Sequence, residues 1–172
     1  MAFWKRRERS EADVVAQGMR RAAGDRVMAA AVDITTGSVV VGTVQELVVL
    51  APDGAEVTRH RWLEVDAGSW ESTTGTVSVT WVDGSRGTQW LFGPDEQRFP
   101  MVFRDRVEAS RVLDAAVEDG GRPIGRAAIR KDLRTGELVP QLMYERRVRR
   151  DDAMAHLVAE RTLAELAEQV GL

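Results

Sequence analysis

Two acids, one histidine and a cluster of arginines are the residues that could do chemistry in this chain. Glu64 and Asp66 lie two apart in a stretch of strand character, so both carboxylates project from one face, about 6–7 Å apart. That spacing is near the one used by paired-carboxylate hydrolases. Leu63 and Val65 occupy the opposite, buried face, however, so the acids are expected to point to water. His60 shares a face with Trp62 and reads as a barrel-rim residue, since no nucleophile and orienting group accompany it. There is no cysteine, and the only other histidine is His156, which leaves no zinc or thiol site of the usual kinds. No glycine-rich phosphate loop or Gly-x-Ser-x-Gly elbow occurs. The sequence therefore predicts no enzyme, no metal and no cofactor.

Charge carries more information. Residues 27–121 hold seven bases and fifteen acids, a balance of −8, whereas residues 122–150 hold nine bases and three acids, a balance of +6. The basic stretch offers Arg122, Arg126, Arg130 and Lys131, followed by Arg146, Arg147, Arg149 and Arg150, as candidate partner-binding residues. Two arrangements fit: a hairpin docked on its own acidic neighbour, or an exposed pole that steers an acidic partner. Nucleic acid is the weaker partner, because single-strand binding also wants aromatic platforms and Tyr144, the one aromatic there, is expected to face the core. Near the start, Phe3, Trp4, Lys5, Arg6 and Arg7 mix aromatics with bases and form a candidate contact for an anionic membrane surface. No apolar run follows them, and the longest runs, Val27–Val32 and Leu47–Ala51, fall far short of the ~20 residues of a membrane span. A cytoplasmic protein is expected.

These residues must be positioned by recognisable elements. With 172 residues, 44% apolar and 30% charged, the chain has the composition of one globular domain with an elaboration. Ser10 and Asp13 open a helix over residues 11–23. From Val27 the period shortens to two, giving strands at 27–33, 38–43, 46–51, 57–62, 65–71, 75–82 and 87–92. Thr36-Gly37, Pro52-Asp53-Gly54, Thr74-Gly75 and Asp83-Gly84 punctuate them, and such brief connections require antiparallel pairing. A phase change at Trp62 marks a corner, and Trp62, Trp70, Trp81 and Trp90 fall on four strands as a structural core. A helix opened by Pro100 and ended by Gly120-Gly121 should lay Val102, Ala109, Leu113, Ala116 and Val117 across the barrel mouth. Arg106 falls in that stripe, either snorkelling to the rim or in a buried ion pair. Residues 122–150 form a hairpin whose register sets Leu133 opposite Leu138, Ile129 opposite Leu142 and Arg126 opposite Glu145. A last helix over 152–170 carries an Ala155, Ala159, Leu163, Leu166, Val170 stripe suited to another helix or a second copy of the chain. No internal repeat is evident.

The segments LVVLAPDG, RHRWLEVDAGSW and VTWVDG, followed by RDRVEAS, resemble a group of small actinobacterial proteins with a bacterial pleckstrin-homology (PH)-like domain. The resemblance covers residues 27–119 and implies an α+β fold: a seven-stranded antiparallel barrel capped by a helix, with the hairpin and terminal helix added. The organisation that follows is a tail and short helix at 1–26, a PH-like barrel with its capping helix at 27–121, and a hairpin with its helix at 122–172. The resemblance implies a binding role, with phosphoinositides, peptides or proteins as partners. Lipid-binding members place bases in the first hairpin loop, and here Ile34-Thr35-Thr36-Gly37 has none. A protein or peptide partner is therefore expected, with an anionic surface or nucleic acid as the alternative.

Overall fold

In the computed structural model, an acid followed three residues later by Thr-Gly turns the chain at three places. The loops are Asp33–Gly37, Glu71–Gly75 and Asp132–Gly136, and each glycine takes a positive φ (73°, 74° and 81°). In each loop the glycine N–H donates to the carbonyl of the acid (2.7, 2.8 and 2.7 Å). The acid's carboxylate accepts from the N–H two residues on, at Thr35, Thr73 and Arg134. A local motif thus recurs where no repeat was expected. It is a five-residue turn device and not a duplicated domain.

The structure describes residues 14, 15, 17, 18, 20, 24–149 and 151–172. Strands β1 (Val27–Val32), β2 (Val39–Thr43), β3 (Glu46–Leu50) and β4 (Glu56–Arg61) make one antiparallel sheet in sequence order. A single 3₁₀ turn at Trp62–Glu64 supplies the corner, and β5 (Val65–Glu71), β6 (Thr76–Trp81) and β7 (Thr88–Leu91) make a second sheet. A main-chain bond joins the two sheets at one corner, Ile34 N–H to the Leu91 carbonyl (2.8 Å), while Val82 N–H to the Glu64 carbonyl (3.0 Å) prolongs the β5–β6 pairing into the 3₁₀ turn. No continuous ladder closes the seven strands into a ring.

Between the sheets lies the main core. Trp62, Trp81 and Trp90 are buried there with Val40, Leu47, Val65, Val77 and Val79, and Trp70 packs half-buried at its margin. Helix α1 (Arg98–Ser110) closes this core with Phe99, Val102, Phe103 and Val107. The outer face of the first sheet is apolar too. Val39, Val41, Val48 and Leu50 point away from the main core, and Val14 packs on them. Nearby, a Cβ on Gly18 would meet Val39 Cγ1 at 2.7 Å, a close helix-on-sheet approach. The described residues between 14 and 20 are helical; the rest of the helix expected over 11–23 lies outside the described residues.

Three expectations are corrected here. The helix begun near Pro100 ends at Ser110, and Arg111–Asp119 is strand β8. Leu113 and Val117 therefore belong to a sheet, where Leu113, Ala115 and Val117 face inward and Val112, Asp114, Ala116 and Glu118 face out. The Gly120-Gly121 pair, both at positive φ, is a two-residue hairpin turn and not a helix stop. Second, the hairpin of β9 (Arg122–Lys131) and β10 (Leu138–Tyr144) pairs Leu138 with Lys131, Pro140 with Ile129 and Met143 with Arg126. This is two residues away from the expected register, because the loop closes at Asp132 and Glu137 and Leu133 belongs to the turn. A two-residue slip leaves the strand side chains on their expected faces, while Leu133, in the turn, packs against the main core. Third, the alanine stripe of the terminal helix α2 (Ala153–Gln169) is not free for another helix. Ala155, Ala159 and Leu166 are buried against Val117, Ile124, Ala127 and Ile129 of its own sheet, β8–β9–β10. No helix among the described residues is long and apolar enough to cross a membrane.

Candidate functional site

The arginines that the sequence offered to a partner are spread over two surfaces, and the most central of them face inward. On the sheet face turned away from α2, Arg126 pairs with Asp66 of β5. Arg130, 4% exposed, donates to the Val65 carbonyl. Gln141 Nε2 donates to the Leu63 carbonyl at 2.9 Å, and Arg61 Nη1 reaches Asp132 at 3.2 Å. The third sheet is thereby docked on the 61–66 corner by polar contacts, and the charges of opposite sign meet inside the molecule. Arg122 sits at the far end of β9, bridged to Asp152 (3.2 Å), and Arg149 is paired with Asp151 (2.9 Å). Lys131, Arg146 and Arg147 are exposed. Arg150 and the candidate membrane contact Phe3, Trp4, Lys5, Arg6 and Arg7 lie outside the described residues.

The acids near the corner are likewise occupied. Glu64 accepts from Arg61 Nε (3.0 Å) and meets His60 Nδ1 (3.2 Å), while Asp66 serves Arg126. Each carboxylate has its own cationic partner, so the two do not face a common reaction space. His60 lies flat on Trp81, ring centres 4.0 Å apart. Arg106 is half-buried, and its Nε has no partner; no ion pair of Arg106 forms among the described residues. Tyr144, expected inside, is 37% exposed at the sheet's rim and holds His156 through its hydroxyl at 2.9 Å. Desolvation and the nearby charge of Glu160 raise its pKa. Among the described residues no group of His, Asp and Glu could hold a metal ion.

What the fold does build is a groove between β5 and α1, of about 410 Å³. Its floor is Trp70, Pro100, Phe103 and Val107, and its rim carries Gln97, Met101, Arg104, Glu108 and Arg111. β5 borders it because, among the described residues, β5 is an edge strand paired on one side only, with β6. The Glu71 carbonyl turns toward β6, where it accepts from Gly75 N–H, and backbone direction alternates along a strand. Gly68 and Trp70 therefore aim their N–H and C=O outward. One step along, the Asp66 carbonyl also faces out, and Arg111 Nη2 covers it at 3.2 Å, ending the free stretch. Met101, at 63% exposure, stands over the other side. A shallower polar concavity of about 560 Å³ opens behind the same strand, lined by Ser69, Ser78, Thr80, Thr88 and Gln89.

Gly68 is what lets helix and strand meet. A Cβ at this position would overlap the Phe103 ring, so only glycine admits Phe103 across the strand. None of these groove residues was singled out as a binding residue by sequence reasoning. A glycine inside a strand pattern is a sign of close approach by another backbone or ring, and Gly68 was the available signal. Sheet, edge and groove define an α+β protein with three antiparallel sheets and a helix-flanked open strand. Comparison with protein-family models gives no match, and comparison with curated proteins gives none either.

Proposed function

We propose that the chain is a non-catalytic interaction module that takes up an extended segment of a partner protein along the open edge of β5. One observation carries this reading: the outward N–H and C=O groups of Gly68 and Trp70 border a groove with an apolar floor. Main-chain bonds to such an edge give affinity, and pockets beside it select alternate side chains of the added strand. An uncovered edge is otherwise an aggregation liability, which proteins blunt with charge, proline or a covering element. Residues 67–70 (Ala, Gly, Ser, Trp) include neither charge nor proline. The order of four strands, corner, three strands and a closing helix supports a PH-like reading of residues 27–110, and PH-like domains are protein and peptide binders in many settings.

Met101→Asp is the direct test. The side chain is largely exposed, so folding should be little affected, with a melting shift within about 2 °C. A charge placed over the apolar floor should weaken binding of array-selected extended peptides at least about tenfold, the equivalent of 1.4 kcal/mol. Peptides that bind wild type and Met101→Asp equally, or an array that yields no binder, would refute the groove as the site.

A further inference from the structure

The open edge of β5 has a blind end. Beyond Gly68 the next outward carbonyl is that of Asp66, and Arg111 Nη2 already caps it at 3.2 Å. The Asp66 carboxylate is taken by Arg126, and the third sheet is docked on the corner just behind it. A strand laid along this edge therefore enters beside Trp70 and cannot continue in line past Gly68. It must leave the edge there, or end. The charge at the blind end favours one kind of chain end. Arg104 and Arg111 stand on the rim, with Glu108 between them on α1. Arg104 is exposed and makes no hydrogen bond or ion pair among the described residues. Glu108 is 60% exposed and meets Arg111 only at 3.7 Å, longer than a hydrogen bond. Two cations and one anion leave this end of the groove positive.

We propose that the groove takes the C-terminal end of a partner protein, antiparallel to β5, with its α-carboxylate facing Arg104 and Arg111. This rests on the groove reading above and narrows it from any extended segment to a chain terminus. β5 runs from Val65 at the blind end to Glu71 at the open end. An antiparallel segment thus reaches Arg111 with its carboxylate, and a parallel one with its ammonium; a positive rim admits the first. With the last residue level with Gly68, its N–H donates to the Gly68 carbonyl, and one carboxylate oxygen accepts from the Gly68 N–H. The other oxygen is left to the guanidinium groups, whose bonds to carboxylates are of the stronger, charge-assisted kind. Residues level with each other on paired strands share a face. Gly68 and Trp70 are level with Val79 and Val77, which are buried in the main core on the α1 side. The last residue of the segment and the one two before it therefore lie over the apolar floor and should be apolar. The penultimate residue is level with Ser69, turns to the opposite face beside Ser78, and should be polar.

The test uses short synthetic peptides selected on the full chain from a library with free C-termini. Each is then remade as a C-terminal amide and with a short glycine tail. The free acid should bind at least about tenfold more tightly than either. Arg104→Gln, an exposed change, should reduce that ratio severalfold, and Glu108→Gln should raise it. The ratio should also shrink as salt rises from about 50 to about 500 mM. Peptides that lose binding in Met101→Asp but bind wild type equally as acid, amide and tailed form would overturn the C-terminal reading and leave the groove standing. A preference for the acid that neither rim variant alters would place the carboxylate elsewhere and overturn it too. Peptides that bind Met101→Asp as well as wild type, or a library without binders, would overturn both readings.

Discussion

Trp62→Ala should lower the unfolding free energy by about 3–5 kcal/mol, a large part of the roughly 5–15 kcal/mol that holds a domain of this size. The indole is fully buried, and its Nε1 donates to the Thr43 carbonyl at 3.1 Å. It also meets the Phe103 ring edge-on, with centres 5.7 Å apart. One side chain therefore ties the end of β2, the corner between the two sheets and helix α1. Removing it leaves a cavity bounded by three elements that cannot all collapse together, which is the condition for the upper part of the range. Trp62→Phe separates the contributions: it keeps most of the ring and deletes the donor, for an expected loss of about 1–2 kcal/mol. Urea midpoints with an unchanged slope would read both values. A Trp62→Ala midpoint within 1 kcal/mol of wild type would show that the corner is not held this way. Because Phe103 floors the groove, Trp62→Ala should also weaken peptide uptake, whereas Trp70→Ala should weaken uptake at a smaller cost in stability.

The strands between Val27 and Leu91 were legible because local chemistry and tertiary structure agree there. Thr36-Gly37, Pro52-Asp53-Gly54, Thr74-Gly75 and Asp83-Gly84 all sit in tight turns, with the glycines at positive φ. Beyond Ser110 they disagree. Arg111–Asp119 is rich in alanine and acids, and its apolar residues fit a helical face nearly as well as an alternating strand. Pairing with β9 across Gly120-Gly121 decides the matter, and that partner is supplied by residues the local pattern does not contain. The charge poles show a different limit. Alternation placed Arg126 and Arg130 correctly on the face opposite Ala127 and Ile129, but it cannot say what covers a face. The answer was the 63–66 corner, through the Asp66 carboxylate for Arg126 and the Val65 carbonyl for Arg130. The groove was illegible for the same reason, since it exists only once α1 lies along β5, and Gly68 was its single local sign.

Asp132 gives the second large effect, and its sign with pH can be worked out. The side chain is 2% exposed; Oδ1 accepts from Arg134 N–H (2.8 Å) and Oδ2 from Arg61 Nη1 (3.2 Å). Burial alone would push its pKa up, but the Arg134 N–H and the Arg61 guanidinium outweigh it and hold the carboxyl below its ordinary value. A carboxyl with a depressed folded pKa stabilises fully above the unfolded value of about 3.9, and the gain fades as pH falls through the lower folded value. Asp132→Ala should therefore cost about 2–3 kcal/mol at pH 7, mostly from the loop N–H left without its acceptor. The Arg61 pair adds little, since that side chain is 40% exposed. The wild type should lose stability below about pH 4 more steeply than Asp132→Ala, so the two curves converge in acid. Asp132→Asn should erase the part of the acid dependence that runs through Arg61. Parallel acid curves for wild type and Asp132→Ala would mean that Asp132 is not the buried carboxylate that binds the third sheet to the first.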